Sequence, residues 1–385
     1  MVKKEEPITH GSIKNYNRKK ILTLLMNKRE LTKQEISLRT KISIPTVATN
    51  VNELIEEGIL EEAGVASSSG GRKPVVIRFV PDSRFSFGVD IDVESVKIAL
   101  VNLDCKIIVE KSFATKSFAK IDELISKISE EITTIMKEKN IDEEKILGIG
   151  FSLPGTVNEK KMVLELAPNL NMKNINFKQF GNVFKLPFYI ENEANCGAVA
   201  EYMLSGSKAN NFIYISITQG VGTGIIMNGH LYKGKNQRAG EFGHMVIIPG
   251  GKKCNCGRNG CWELYVSEKA LLDNYYEKSG KKIDIHNLIS LVREKDEVAT
   301  KIWNEYIEYL SLGIENLILG LDPSVIVIGG NVAKYEDLLI EPIKNNIFSK
   351  DGFEGVDDVK IMTSKFISDA PLLGAALLPI QKVIG

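Results

Sequence analysis

Ile217-Thr218-Gln219-Gly220-Val221-Gly222-Thr223-Gly224-Ile225 leads on to Gly240-Glu241-Phe242-Gly243-His244, and that in turn to Cys254-Asn255-Cys256-Gly257-Arg258-Asn259-Gly260-Cys261. Apolar runs at 212–217 and 224–228 predict strands on either side of the glycine-rich turn. Downstream, one imidazole and three thiols supply four donors of the kind a tetrahedral zinc ion takes. Glycines at 257 and 260 allow the backbone to wrap tightly enough for Cys254, Cys256 and Cys261 to converge with His244. Four protein ligands leave no open position, so the expected Zn2+ is structural rather than water-activating. With one ring nitrogen of His244 on the metal, the other is fixed as an N–H donor pointing away from it. Glu241 and Glu263 flank the site in sequence. A hydroxyl can donate to a carboxylate and accept from an N–H, so this grouping suits a ligand with vicinal hydroxyls.

Upstream, short apolar runs at 86–92, 95–104 and 107–114 predict an antiparallel meander. A helix over 121–139, strands at 146–151 and 188–191 and a helix over 194–204 follow. The order then recurs: strands at 212–217 and 224–228, helices through 266–319, and a buried strand at 324–328 before Gly329-Gly330. A strand-rich meander followed by alternating helices and strands, twice over, predicts a duplicated α/β body with a cleft between its lobes. The lobes are expected at 81–200 and 201–385, the last helix being a candidate to cross back to the first.

Residues 1–80 read differently. A helix over 16–28 carries Ile21, Leu22, Leu24 and Leu25 as an apolar stripe. Thr32-Lys33-Gln34-Glu35 is a capping box opening a second helix, and Ser43 caps a third with Pro45 in its first turn. Val47, Val51, Leu54 and Ile55 give the third helix a buried face, with Gly58 placed to end it. Residues 66–74 then read as a wing tip before a returning strand at 75–79. This is the pattern of a winged helix-turn-helix, with Ser43, Thr46, Thr49 and Asn50 expected to face DNA. Arg72 and Lys73 are expected to reach it from the wing, Arg72 through the minor groove. Charge agrees: residues 1–52 hold 11 basic and 4 acidic side chains, against 34 and 39 from residue 86 onward. A basic head on a mildly acidic body suits a polyanion-binding module.

Composition excludes other classes. The 385 residues are 43% hydrophobic and 25% charged, with Lys+Arg and Asp+Glu both at 49, which is ordinary for a globular protein. No run of 18 apolar residues is present to span a membrane, and the polar start Met1-Val2-Lys3-Lys4 lacks the apolar core of a signal peptide. Five cysteines, three of them clustered, favour metal over disulfides and a cytoplasmic location.

On the glycine run, the Gly-Glu-Phe-Gly-His segment and the cysteine motif, the chain resembles the ROK family of repressors, open reading frames and sugar kinases, over essentially its whole length. The resemblance implies a two-lobed actin-like (ribonuclease H-like) body with a sugar in the cleft. It places sugar contacts on Asn192, Glu193, Glu241, His244 and Glu263, with Pro154-Gly155 on the floor, and zinc on His244, Cys254, Cys256 and Cys261. The head resembles that of the family's repressors. Two departures bear on phosphoryl transfer. Where the kinases carry Asp-x-Gly-Gly-Thr, this chain has Asp90-Ile91-Asp92-Val93-Glu94, so side chains crowd the amides and two carboxylates meet the phosphate oxygens. Where the kinases place a catalytic Asp, Glu193 stands in Glu191-Asn192-Glu193-Ala194-Asn195, a displaced and vestigial base. The second loop, 219–224, and Gly329-Gly330 stay compatible with nucleotide. The implied function is a sugar-responsive transcriptional repressor of carbohydrate-utilisation genes, with no kinase activity. It would act as a homodimer or dimer of dimers on a palindromic operator. An ATP-dependent sugar kinase with a DNA-binding head is the enzymatic alternative. The other is a repressor signalled by a protein docking at Lys252, Lys253 and Arg258.

Overall fold

A computed structural model describes residues 10–65, 74–118, 120–348 and 358–384. The wing residues Arg72 and Lys73 lie outside the described residues. In the head, helices His10–Lys28, Lys33–Thr40 and Ile44–Glu56 pack on a three-stranded sheet in which Val75–Phe79 lies between Glu30–Thr32 and Leu60–Val65. The capping box is formed in full: the Glu35 amide donates to Thr32 Oγ1 at 3.2 Å, and the Thr32 amide donates to Glu35 Oε2 at 2.8 Å. Ser43 caps the third helix, whose Val47, Val51 and Leu54 are wholly buried.

The body repeats one topology. In the first sheet the strands run Phe188–Asn192, Ile146–Leu153, Phe85–Ile91, Ser95–Asn102, Ile107–Ala114. In the second they run Lys360–Thr363, Val325–Gly329, Phe212–Ile217, Val221–Met227, His230–Leu231. Numbered within each unit, both sheets have the order 5-4-1-2-3, with strands 1, 4 and 5 parallel and the hairpin strands antiparallel. The duplication expected from patterning is therefore a duplication of topology. It is joined by an antiparallel sheet the sequence reading left out, Thr156–Asn158, Val163–Ala167 and Met172–Asn176, at the rim of the cleft. Its strands are three to five residues long and mix Lys and Asn with isolated apolar residues, too short a pattern to stand out.

Two helices exchange between the units. Glu193–Leu204, read as the end of the first lobe, packs on Phe212–Ile217 and Val221–Met227 of the second sheet. Ala370–Ile384 returns to lie on Phe85–Ile91 and Ile146–Leu153 of the first, and the two helices lie against each other between the sheets. Contact is close: a Cβ on Gly150 would stand 1.8 Å from the Ala375 carbonyl oxygen. Among the described residues no helix is long and apolar enough to cross a membrane.

Candidate functional site

His244 ends a single turn, Glu241–His244, from which the chain runs through a cysteine loop held by its own backbone. The Cys254 amide donates to the Arg258 carbonyl at 2.8 Å and the Gly260 amide to that of Lys252 at 2.7 Å. Trp262, fully buried, donates from Nε1 to the Tyr309 carbonyl at 2.9 Å and ties the loop to the long helix Glu297–Leu321. The result gathers one donor atom each from His244, Cys254, Cys256 and Cys261 within 4.8 Å of one another. Cys254 Sγ is 3.6 Å from His244 Nδ1, and Cys256 Sγ is 3.6 Å from Cys261 Sγ. Tetrahedral thiolates at about 2.3 Å from zinc stand about 3.8 Å apart, so the four residues fit such an ion. His244 turns Nδ1 to the cluster and leaves Nε2 on the other side. Glu263 Oε1 lies 3.2 Å from Nδ1 and 3.1 Å from Cys254 Sγ, and this carboxylate raises the imidazole above its ordinary value.

Beside the cluster, a recess of about 300 Å3, open to solvent, lies where the two sheets face each other. Gly155, Thr156, Asn192, Asn195, Gln237 and Glu241 are among its walls. Asn192 caps the helix Glu193–Leu204 through Oδ1 and donates from Nδ2 to the Gly155 carbonyl at 2.8 Å. Glu241 accepts from Thr156 Oγ1 across the cleft at 3.3 Å. Lys233, from the second unit, pairs with both Glu159 and the buried Glu191 of the first. Glu191 also accepts from the Asn192 amide at 2.8 Å and from Asn195 Nδ2 at 3.0 Å. Of the residues assigned to the sugar, Gly155, Asn192 and Glu241 line the recess. Glu193 lies behind Gly222, its Oε2 3.8 Å from where a Cβ there would be, and takes a hydrogen bond from Ser216. Glu263 lies behind Gly220, 3.0 Å from the corresponding point. The glycine run thus forms strand Val221–Met227 and lets the helix Glu193–Leu204 approach: a Cβ on Gly224 would stand 2.4 Å from the Ala194 carbonyl oxygen.

The turn after Asp90 is closed on itself. The Asp92 amide donates to the Ser95 carbonyl at 2.9 Å, and the Val93 amide donates to the Asp92 carboxylate at 2.7 Å. Glu94 pairs with Lys116 at 2.7 Å. Asp90, buried against Ser152 Oγ at 2.6 Å, is pushed up to about 7, by burial first and by Asp92 in addition. Burial likewise pushes Glu193 up to about 8, with Asp90 and Asp92 adding to it.

In the head, Thr49 and Ser43 are exposed and Thr46 half-buried on the third helix. Asn50 corrects the sequence reading. It is 3% exposed, and its Nδ2 donates to the Thr46 carbonyl at 2.8 Å, within its own helix. Positions 47, 50, 51 and 54 share one face at helical spacing, so Asn50 belongs with the buried stripe rather than opposite it. Ile44, which the reading passed over, stands 51% exposed at the start of the same helix.

The ROK family pattern matches residues 86–382, and a winged helix-turn-helix DNA-binding pattern matches residues 14–61. The chain belongs to the ROK family. Among its ROK relatives, the xylose repressor of Bacillus spizizenii is 32% identical over 374 residues, 96% of each chain. The glucokinase of Thermotoga maritima is 25% identical over 315 residues, 77% of this chain and 98% of that one. A solved ROK transcriptional regulator, described as a homolog of the E. coli MLC protein, superposes with a TM-score of 0.82 over 97% of this chain and 96% of the other, at 24% identity. The ROK glucokinase of Streptomyces griseus, solved with glucose and AMPPNP, superposes at 0.68 with 25% identity, over 77% and 99%. The ROK kinases thus match the body alone, while the repressor match extends through the head.

Two residues of the ROK cleft escaped the sequence reading, Asn195 and Gln237. Asn195 stood in the run Glu191-Asn192-Glu193-Ala194-Asn195 without a role of its own, and Gln237 falls in a polar stretch, Lys233-Gly234-Lys235-Asn236-Gln237-Arg238, that carries no periodicity. Only the return of the chain over the recess gives that stretch meaning.

Proposed function

We propose that this ROK chain is a sugar-responsive transcriptional repressor that keeps the family's sugar cleft and has given up phosphoryl transfer. The observation that carries this reading is the closed turn at Asp92–Ser95. Phosphoryl transfer depends on bare amides and positive charge around the phosphates. Here two of those amides are occupied internally, and Asp92 and Glu94 present carboxylates in their place. A Glu193 held up near 8 is mostly protonated at neutral pH and so is a poor general base. Asn192 and Glu241 meanwhile remain on the cleft wall, ready to bond hydroxyls.

His244, Cys254, Cys256 and Cys261 would hold a structural Zn2+, which when bound cross-links the loop beneath the cleft. With Nδ1 taken by the metal, His244 Nε2 would be left as the N–H donor on the side away from it. The effector is a monosaccharide, and the names of the repressor relatives make D-xylose the first to test. A cytoplasmic homodimer, or a dimer of dimers, would set two recognition helices on the half-sites of a palindromic operator. Ligand control requires that the sugar bind the DNA-competent and DNA-incompetent forms with different affinity.

The test is anisotropy of a fluorescent duplex selected from a random pool, titrated with zinc-loaded protein with and without D-xylose and a panel of other pentoses and hexoses. At least one sugar is expected to change the DNA dissociation constant about tenfold or more, with no sugar phosphate formed from magnesium ATP. A constant unchanged across the panel defeats the regulator reading, and ATP-dependent turnover restores the kinase.

A further inference from the structure

The recess contains two amide oxygens without a partner. Asn195 Oδ1 and Gln237 Oε1 are both buried at the atom and find no hydrogen-bond partner among the described residues. A buried amide oxygen left unpaired is costly, so each such atom in a cleft points to a ligand that completes it. For Asn195 the orientation is fixed by its surroundings. Glu191 can only accept, so Nδ2 must be the end that faces it, and Oδ1 is the end left over. Asn195 itself is 6% exposed and held within the helix Glu193–Leu204.

Gln237 is held from both sides. Before it, Lys233 is clamped to Glu159 and Glu191, and the Ala239 amide donates to the Lys233 carbonyl at 3.1 Å. After it, the Gly240 carbonyl accepts from Thr223 Oγ1 at 2.6 Å and from the Thr223 amide at 3.2 Å. Between these anchors Gln237 adopts φ 59°, a left-handed conformation a glutamine rarely takes. Such a conformation persists where the surroundings enforce it, which is characteristic of ligand sites. Its amide enters the same walls as Asn192, Glu241 and Asn195.

We propose that Asn195 and Gln237 read hydroxyls of the bound monosaccharide and set which sugar the cleft accepts. This rests on the sugar-effector reading above. Each amide oxygen accepts from one hydroxyl, from opposite sides: Asn195 from the helix under the recess, Gln237 from the loop over it. A site built to bond a hydroxyl rejects the analogue that lacks it, because its own polar atom is then left unpaired.

Calorimetric titration of the full chain, zinc-loaded, with D-xylose, D-glucose and their singly deoxygenated derivatives tests the assignment. The comparison is between wild type and Gln237→Met, which keeps the side chain's length and removes its amide. The parent sugar is expected to bind Gln237→Met about tenfold more weakly, and one derivative to bind wild type about tenfold more weakly than its parent. On the variant, that derivative and its parent are expected to bind alike. A second derivative, discriminated equally by both proteins, is expected for the hydroxyl read by Asn195. If wild type binds sugars and Gln237→Met binds and ranks them identically, the assignment of Gln237 fails while the effector reading stands. If every derivative but that of Gln237 binds wild type like its parent, the assignment of Asn195 fails. If wild type binds no sugar in the panel, the effector reading fails, and this inference with it.

Discussion

Thr49 and Asn50 are adjacent in sequence and both polar, yet the helix sends them to opposite fates. Thr49 is exposed, with its hydroxyl turned back to the Pro45 carbonyl at 3.1 Å, while Asn50 is buried beside Val47, Val51 and Leu54. Thr49→Ala is therefore expected to weaken operator binding by about tenfold without moving the melting temperature. Asn50→Leu is expected to leave affinity within about twofold, since the orphaned Oδ1 it removes faces the core. The reverse pattern in an anisotropy titration would rotate the DNA-facing side of the helix. Glu193 supports a second prediction. Its folded pKa is raised, so the native state holds a proton the unfolded chain has already released. Stability from this group is complete below its ordinary value of 4.5 and declines as pH rises toward about 8. Glu193→Gln, which still accepts from Ser216, is expected to flatten the fall in melting temperature between about pH 5 and pH 8 relative to wild type, leaving the part due to Asp90. Parallel curves for the two proteins would show that Glu193 ionises freely. At this scale the cluster of His244, Cys254, Cys256 and Cys261 was legible because one imidazole and three thiols crowd into a short stretch. Asn195 and Gln237 were not, because an amide's role depends on which partner it lacks.

Elements bounded by local chemistry were the most legible. The capping box at Thr32, the Ser43 cap and the apolar periodicity of Ile121–Lys139 all involve residues within a few positions of each other, and each gives the element expected. Where the deciding contact is distant, the sequence is silent. Gly150 sits in a largely apolar strand, and nothing nearby in sequence explains it. The reason is 225 positions away, where the backbone of the last helix crosses at Ala375. Gly224 makes the same accommodation for the helix Glu193–Leu204. The glycine run that reads as a phosphate loop is thus also what close helix packing demands. Gly150→Ala would force the last helix off the first sheet, with an expected loss of about 3 kcal/mol seen as a lowered urea midpoint. A loss within about 0.5 kcal/mol would mean that the helix shifts freely and is no fixed part of the lobe.

At the scale of the molecule, the head is not a tethered ornament. One apolar cluster takes in Ile21, Leu22, Leu25 and Phe79 of the head, Val101 of the first sheet with Leu103 and Cys105 of the turn that follows it, and Leu372, Leu377 and Ile380 of the last helix, and it reaches Ala198 and Phe212 in the second unit. Arg29 reinforces the seam by pairing with Asp104 at 2.5 Å, and Arg84 by donating to the Glu57 carbonyl at 2.8 Å. The helix that begins at the sugar wall, Glu193–Leu204, touches the last helix, and the last helix touches the head's first, His10–Lys28. None of this could be read from sequence, because the seam is made of ordinary buried aliphatic residues on elements far apart in the chain. Its consequence is that a change in cleft closure has a packed route to the recognition helix. Interiors as dense as this shift between discrete arrangements rather than yielding gradually. Leu103, 3% exposed within the cluster, offers a way to loosen the seam without touching DNA or sugar. Leu103→Ala is expected to cost about 2–4 kcal/mol of stability. It should leave sugar affinity unchanged by calorimetry, and bring the ratio of operator dissociation constants with and without sugar toward one. A ratio equal to that of wild type, in a variant shown by its melting curve to be destabilised, would mean that the signal reaches the head by a route other than this seam.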